Sequence, residues 1–335
     1  MLSLRLIGWT GPELSAKAVI VPEWETRSAV AYRSSAGNAV CWSGVAGARH
    51  DAGMSAWRFP VAAATLVLLG TAVTAAAPPA RAGGAVPEFD HIVVVMFENK
   101  ADAQITASSA PYFKSLAAQG ANFTQAYGIT HPSQPNYLAL FSGSTQGVTG
   151  DSCPLTFSGG NLGAQLIAAG YTFKGYSESM PSNGYTGCSS GTYRRKHNSW
   201  VDFSTVPAAS NLTFASFPAA GNYASLPTVS FVTPNMCNDM HDCSVGAGDT
   251  WLKANLDAYA QWAKTHNSLL IVNFDEDNSL ALNHIYTAFV GAHVVPGSYA
   301  EKTTHYTVLR TIEAAYGLAA LGGAATVTPI TDVWN

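Results

Sequence analysis

His91-Ile-Val-Val-Val-Met-Phe97, followed at once by Glu98-Asn99, is the stretch from which the fold can be read. Its apolar residues run without interruption instead of alternating with polar ones, which is the pattern of a strand covered on both faces in a parallel sheet. Residues 112–119 and 162–169 read as helices, each stopped by a glycine, Gly120 and Gly170. Further strands are predicted at 171–176, 228–233, 269–274 and 285–290, and a last long helix at 306–316. Between the third and fourth strands, Asp249 is positioned to cap a helix whose apolar face comprises Leu252, Leu256, Tyr259, Ala260 and Ala263. Strands alternating with helices predict an α/β domain with a mostly parallel central sheet flanked by helices.

The strand ends carry the chemistry. The first leads into Glu98-Asn99, the second into Ser177-Glu178, the third into Asn235 and then Asp239, His241 and Asp242, and the fourth into Asp275-Glu276-Asp277. In a parallel sheet the carboxyl ends share one edge, where open α/β proteins bind ligands, so acids far apart in sequence converge. Hard oxygen donors such as Glu98, the Asn99 amide, Asp275 and Glu276 suit one divalent cation, without which such carboxylates would repel one another. The sequence does not choose among calcium, magnesium, manganese and zinc. Thr130-His-Pro-Ser-Gln-Pro-Asn-Tyr137 places Ser133 before Pro135, at the start of a helix running to about Phe141. That hydroxyl is either a helix cap or a nucleophile; the free N–H groups and the positive helix end favour an alkoxide and a bound phosphate. Arg194-Arg-Lys-His197 is either a solvated turn or a clamp for a phosphorylated headgroup. His197, His241 and His305 are candidates for proton transfer to a leaving oxygen.

Charge narrows the partners. Of 335 residues, 47% are hydrophobic and 11% charged, which argues against long disorder and coiled coil. Residues 83–335 hold ten Lys/Arg and seventeen Asp/Glu, a net of −7, and seven of those acids lie between Asp239 and Asp277. Such a chain is a poor general binder of nucleic acid, whose phosphates require surplus positive charge. No protein partner is predicted.

The N-terminal region reads as an address. Met54-Ser-Ala-Trp-Arg-Phe is a short basic start, followed by the apolar run from Val61 to Gly70 and by Ala80-Arg-Ala82, an A-x-A cleavage site. Residues 54–82 are therefore predicted to be a cleaved signal peptide, the alternative being an uncleaved anchor. Residues 1–53 are read as a leader from a start codon assigned too far upstream, and 83–335 as a single exported catalytic domain. An oxidising destination lets Cys153, Cys188, Cys237 and Cys243 pair. Of three possible pairings, Cys153 with Cys188 and Cys237 with Cys243 each close a local loop.

An ordered set of motifs adds a resemblance. Phe97-Glu-Asn99, His131-Pro-Ser-Gln-Pro-Asn-Tyr-Leu-Ala-Leu-Phe141, Arg195-Lys-His-Asn198, Asn238-Asp-Met-His-Asp242, Phe274-Asp-Glu-Asp277 and Val308-Leu-Arg-Thr-Ile-Glu313 follow in this order. Together they resemble the phosphoesterase family of acid phosphatases and bacterial phospholipases C, within the alkaline-phosphatase-like superfamily. The resemblance implies a secreted bacterial phosphatase acting on phosphate monoesters, phosphatidylinositol 3-phosphate at a membrane surface among them. It implies a metal bound by residues matching Glu98, Asn99, Asp275 and Glu276, with Ser133 as nucleophile passing through phosphoserine. His131, Arg195, Lys196, Asp239 and His305 are expected to contact substrate, and His197 or His241 to protonate the leaving alcohol. Asp277-Asn-Ser, where the phospholipase C branch has His-Gly-Gly after its acid pair, favours the phosphatase branch over a phosphodiesterase. Two other readings remain: a carboxylesterase with the triad Ser177, Asp275 and His305, and a metal-stabilised surface protein without catalysis.

Overall fold

The computed structural model describes residues 85–335; the predicted leader and signal peptide lie outside the described residues. Among the described residues there are twelve strands and five α-helices. In order they are β1 (His91–Phe97), α1 (Pro111–Gln119), β2 (Ala121–Phe123), β3 (Ala126–Tyr127), α2 (Ser133–Ser142), α3 (Leu162–Ala168) and β4 (Phe173–Ser177). There follow β5 (Ser189–Ser190), β6 (Tyr193–Arg194), β7 (Asn211–Thr213), β8 (Val229–Thr233), α4 (Val245–Ala263), β9 (Ser268–Phe274), β10 (Thr287–Gly291), β11 (Gly297–Tyr299), β12 (Thr303–Thr304) and α5 (His305–Ala315).

Eight strands form one sheet in the order β11-β2-β10-β9-β1-β8-β4-β7. β1 pairs in parallel with both β8 and β9, and β4 in parallel with β8 and β7. The expected mostly parallel sheet is present, with one reversal: β10 runs antiparallel to β9 and β2. Its residues 287–291 lie slightly beyond the predicted 285–290 because Ile285 is taken by an isolated bridge to Ala101.

The central strands are buried almost end to end, as their unbroken apolar runs require. α4 buries the predicted Leu252, Leu256, Tyr259, Ala260 and Ala263. It starts earlier than expected, however, with the Ser244 side chain accepting the Ala247 N–H. Asp249 does not cap its own helix. Its carboxylate accepts the N–H groups of Tyr112 and Phe113 at 2.9 and 3.0 Å, and so caps α1 across the fold. A cap supplied from 136 or 137 residues away leaves no local sequence signal. Cys153–Cys188 and Cys237–Cys243 are both disulfides, with Cα separations of 5.7 and 4.7 Å.

Candidate active site

Strand register assembles the site. Phe97 and Phe274 are the last paired residues of β1 and β9, so Glu98 and Asp275 emerge side by side. The Asn99 N–H holds Asp275 Oδ1 at 3.0 Å, and Asn99, in the left-handed region at φ 55°, turns the chain sharply there. β8 lies on the other flank of β1, and the Glu98 N–H donates to the Asp239 carbonyl at 2.8 Å. Glu178, just past β4, accepts the Asn235 N–H and both approaches of the Asn238 amide, fixing the turn that carries Asp239.

Ser133 is the first residue of α2 and is buried. Its hydroxyl lies 3.0 Å from Glu98 Oε2 and 3.1 Å from Glu276 Oε1, and its single proton can be donated to only one of them at a time. One turn further along α2, the Tyr137 hydroxyl donates to Glu98 Oε1 at 2.6 Å, while its ring stacks on His197 with centroids 5.1 Å apart. His197 Nε2 lies 3.1 Å from Glu98 Oε1, and Nδ1 lies 3.3 Å from Asp239 Oδ2. Neither approach is aligned as a hydrogen bond, so His197 Nε2 and Asp239 Oδ2 are buried without a partner; Asp275 Oδ2 likewise makes no hydrogen bond. His131 places Nδ1 2.5 Å from Glu276 and Nε2 3.3 Å from Asp277.

Four buried carboxylates, Glu98, Asp239, Asp275 and Glu276, therefore share one pocket. Burial, reinforced by Asp275 and Asp239, pushes Glu98 well above its ordinary range. Burial likewise raises Asp239, and burial with the neighbouring Glu276 charge raises Asp275. Glu276 is pushed up to about 7, again chiefly by burial. His197 is driven well below its usual value, so it is a neutral imidazole with a lone pair to offer. Unpartnered buried donors and uncompensated negative charge are what a bound cation would relieve, and the residues fit one. Glu98, His197 and Asp239 each bring one donor atom within 4.8 Å of the others. This set differs from the expected all-oxygen group: His197, read from sequence as a proton donor, offers a nitrogen beside the Glu98 oxygen.

Other expected contacts turn inward. Arg195 is buried and spends its guanidinium on Asp202 and on the carbonyls of Thr186 and Leu155, a structural role in place of a substrate clamp. His305 Nε2 donates to the Asp275 carbonyl at 2.6 Å and Nδ1 faces the Asn273 amide, so it supports the Asp275 turn from behind. Burial lowers it to about 4. Lys196 stays near the pocket, 2.6 Å from Asp151, whose other oxygen accepts the Gln134 N–H of α2. His241 is partly exposed, with Nδ1 2.7 Å from Asp242 and its ring 6.1 Å from that of His197. The esterase triad is not assembled: Ser177 donates to Asn198, and His305 meets the backbone, not the carboxylate, of Asp275. Tyr137 escaped the sequence reading, although its position four residues after Ser133 puts it on the same helix face.

The geometry has counterparts among known proteins. The chain is 52% identical over 272 residues to a phosphatidylinositol-3-phosphatase of Mycobacterium tuberculosis, covering 80% of this chain and 90% of that protein. It is 31% identical to a phosphate-repressible acid phosphatase of Penicillium chrysogenum, across 70% of this chain and 60% of the fungal enzyme. A crystal structure of a protein in the alkaline phosphatase superfamily from Vibrio parahaemolyticus shares the fold, with a TM-score of 0.51 and 13% identity over 74% of this chain and 72% of that one. The Phosphoesterase family profile matches residues 103–319, which include Ser133, His197, Asp239, Asp275 and Glu276, and the chain belongs to that family.

Proposed function

We propose that the chain is a secreted, metal-dependent phosphatase that hydrolyses phosphate monoesters through a phosphoserine at Ser133, with phosphatidylinositol 3-phosphate among its substrates. One observation carries the reading: a buried serine hydroxyl at a helix start, within 3.1 Å of carboxylates from two different strand ends. The names of the mycobacterial and fungal relatives support the substrate class. An imidazole among the nearest donors favours a transition metal over calcium. Export is supported by the two disulfides, which belong to an oxidising compartment.

A cation held by Glu98, His197 and Asp239 would supply Lewis acidity to the phosphoryl oxygens. The residues do the rest. Ser133 Oγ gives its proton to Glu276 or Glu98 and forms a bond to phosphorus, while the bond from phosphorus to the alcohol oxygen breaks. Lys196 and the N-terminal end of α2 lie where they can offset the phosphoryl charge. His241, the partly exposed histidine of the cluster, protonates the departing alcohol. Water then gives a proton to His241 and bonds to phosphorus, the bond from phosphorus to Ser133 Oγ breaks, and the serine oxygen takes its proton back from the carboxylate that held it. Tyr137 and Asn99 keep Glu98 and Asp275 in place throughout. Such positioning and charge neutralisation carry most phosphoryl-transfer catalysis.

Ser133→Ala should lower kcat on a soluble monoester by at least on the order of 10²–10³, with the fold preserved by circular dichroism. Brief reaction with labelled substrate followed by acid quench should leave label on the wild type and none on the variant. Turnover of S133A close to wild type would exclude the assignment.

A further inference from the structure

Two leucines stand out against the rest of the surface. Leu280 is 85% exposed and Leu282 94%, whereas the next large apolar residue among those described, Ile167, is only 38% exposed. Both sit in the 279–283 loop, immediately after the Asp275-Glu276-Asp277 triplet. A chance surface leucine needs no explanation, but two at one loop tip beside a catalytic pocket form a defined apolar point.

The loop is built to hold them outward. Buried Asp277 accepts the N–H groups of Ser279, Ala281 and Asn283 at 2.6, 2.7 and 2.9 Å. The Asn283 side chain ties back to the Asp277 N–H and to the Thr130 carbonyl. Ser279, Leu282 and Asn283 all adopt left-handed backbone, with φ of 64°, 57° and 62°. Left-handed leucine is an outlier that costs about 1 kcal/mol or more, and it persists only where its surroundings impose it. The same Asp277 lies 3.3 Å from His131, and His131 shares one cleft with Leu280 and Leu282. The leucine tip and Ser133 are thus connected through three side chains, Asp277, His131 and Glu276.

The chemistry around the tip selects a surface. Residues 278–283 carry no charge. Beside them His284 packs on Tyr127, and exposed Lys302 lies over the Tyr127 ring at 5.6 Å. Uncharged leucines, with a lysine on the Tyr127 ring that packs on the next residue of the loop's exit, His284, suit the boundary between acyl chains and anionic headgroups.

We propose that the 279–283 loop is a membrane wedge: Leu280 and Leu282 enter a phospholipid bilayer and present the pocket to a lipid-borne phosphate monoester. This rests on the phosphatase reading above and specifies the physical state of its substrate. Burying two leucine side chains accounts for a gain in membrane partitioning on the order of 10²-fold.

The test compares the full chain with L280S/L282S on three substrates: p-nitrophenyl phosphate, a short-chain water-soluble phosphatidylinositol 3-phosphate, and the long-chain lipid in phosphatidylcholine–phosphatidylserine vesicles. The double variant should keep wild-type rates on both soluble substrates and lose on the order of 10-fold or more on vesicles, with weaker co-sedimentation. In L282W, the added tryptophan emission should shift to the blue with vesicles and be quenched by acyl-chain bromines. Equal vesicle rates for wild type and variant, or an L282W emission blind to lipid, would overturn the wedge. So would a dimer that the double variant abolishes without any change on vesicles, which would assign the leucines to a second copy. Absence of phosphate release from every substrate by the wild type would instead defeat the phosphatase reading.

Discussion

Glu98 is shared by Asn99, Ser133, Tyr137 and His197, so these four groups are positioned through one carboxylate, while Glu276, the other neighbour of the Ser133 hydroxyl, is held by His131. Arg195 makes the opposite case, a charged residue from a motif run that never reaches the pocket. It pairs with Asp202 at 2.8 Å in the interior, and burial still pushes Asp202 up to about 6. Truncating one member of a buried pair leaves the other charge stranded, at a cost of roughly 3–5 kcal/mol. Arg195→Ala should therefore lower Tm by on the order of 10 °C while leaving KM for a soluble monoester unchanged. An unaltered Tm together with a raised KM would return Arg195 to the substrate.

At the scale of elements, the two disulfides make unequal contributions. Cys153–Cys188 spans 35 residues and Cys237–Cys243 only 6. Loop-closure entropy makes the longer link worth about 1–2 kcal/mol more to stability. The shorter one flanks the turn that carries Asp239 and His241, so its effect should fall on turnover. C153A/C188A should lose more Tm than C237A/C243A, and C237A/C243A should lose more kcat; equal losses in both measurements would remove the distinction. The same scale explains what could be read in advance. β1 and β9 were legible because strands buried on both faces need continuous apolar runs, and their shared direction makes the acids after them neighbours. The antiparallel course of β10 was not, because an apolar run has no direction. The capping of α1 by Asp249 was hidden for a related reason: the acid and the helix it serves meet only in three dimensions. In the pocket, oxygen donors at strand ends were visible in sequence, but the inward turn of Arg195 and His305 depends on carbonyls that no side-chain pattern records.

For the molecule as a whole, the pocket sets a conflict between folding and ionisation. Carboxylates that titrate near 4 in an unfolded chain are raised in the fold, Glu276 to about 7 and Glu98, Asp239 and Asp275 in the same direction. With a chelator present, the folded state retains protons that the unfolded state releases. Its stability is then greatest below about pH 4 with respect to these groups, and is lost as pH rises through about 7. A divalent cation in the pocket would replace those protons, and would bind the ionised donors more strongly as pH increases. At a hundredfold excess over Kd it contributes about 2.7 kcal/mol, or roughly 5–10 °C in Tm for a domain of this size. The difference in Tm between manganese-loaded and chelated protein should therefore be small at pH 5 and largest near pH 8, followed by circular dichroism. A difference independent of pH would mean that the cation does not compete with protons for Glu98, Asp239 and their neighbours. The buried cluster would then have to be stable in its protonated form, with a neutral Glu98 donating to one of the acceptors around it.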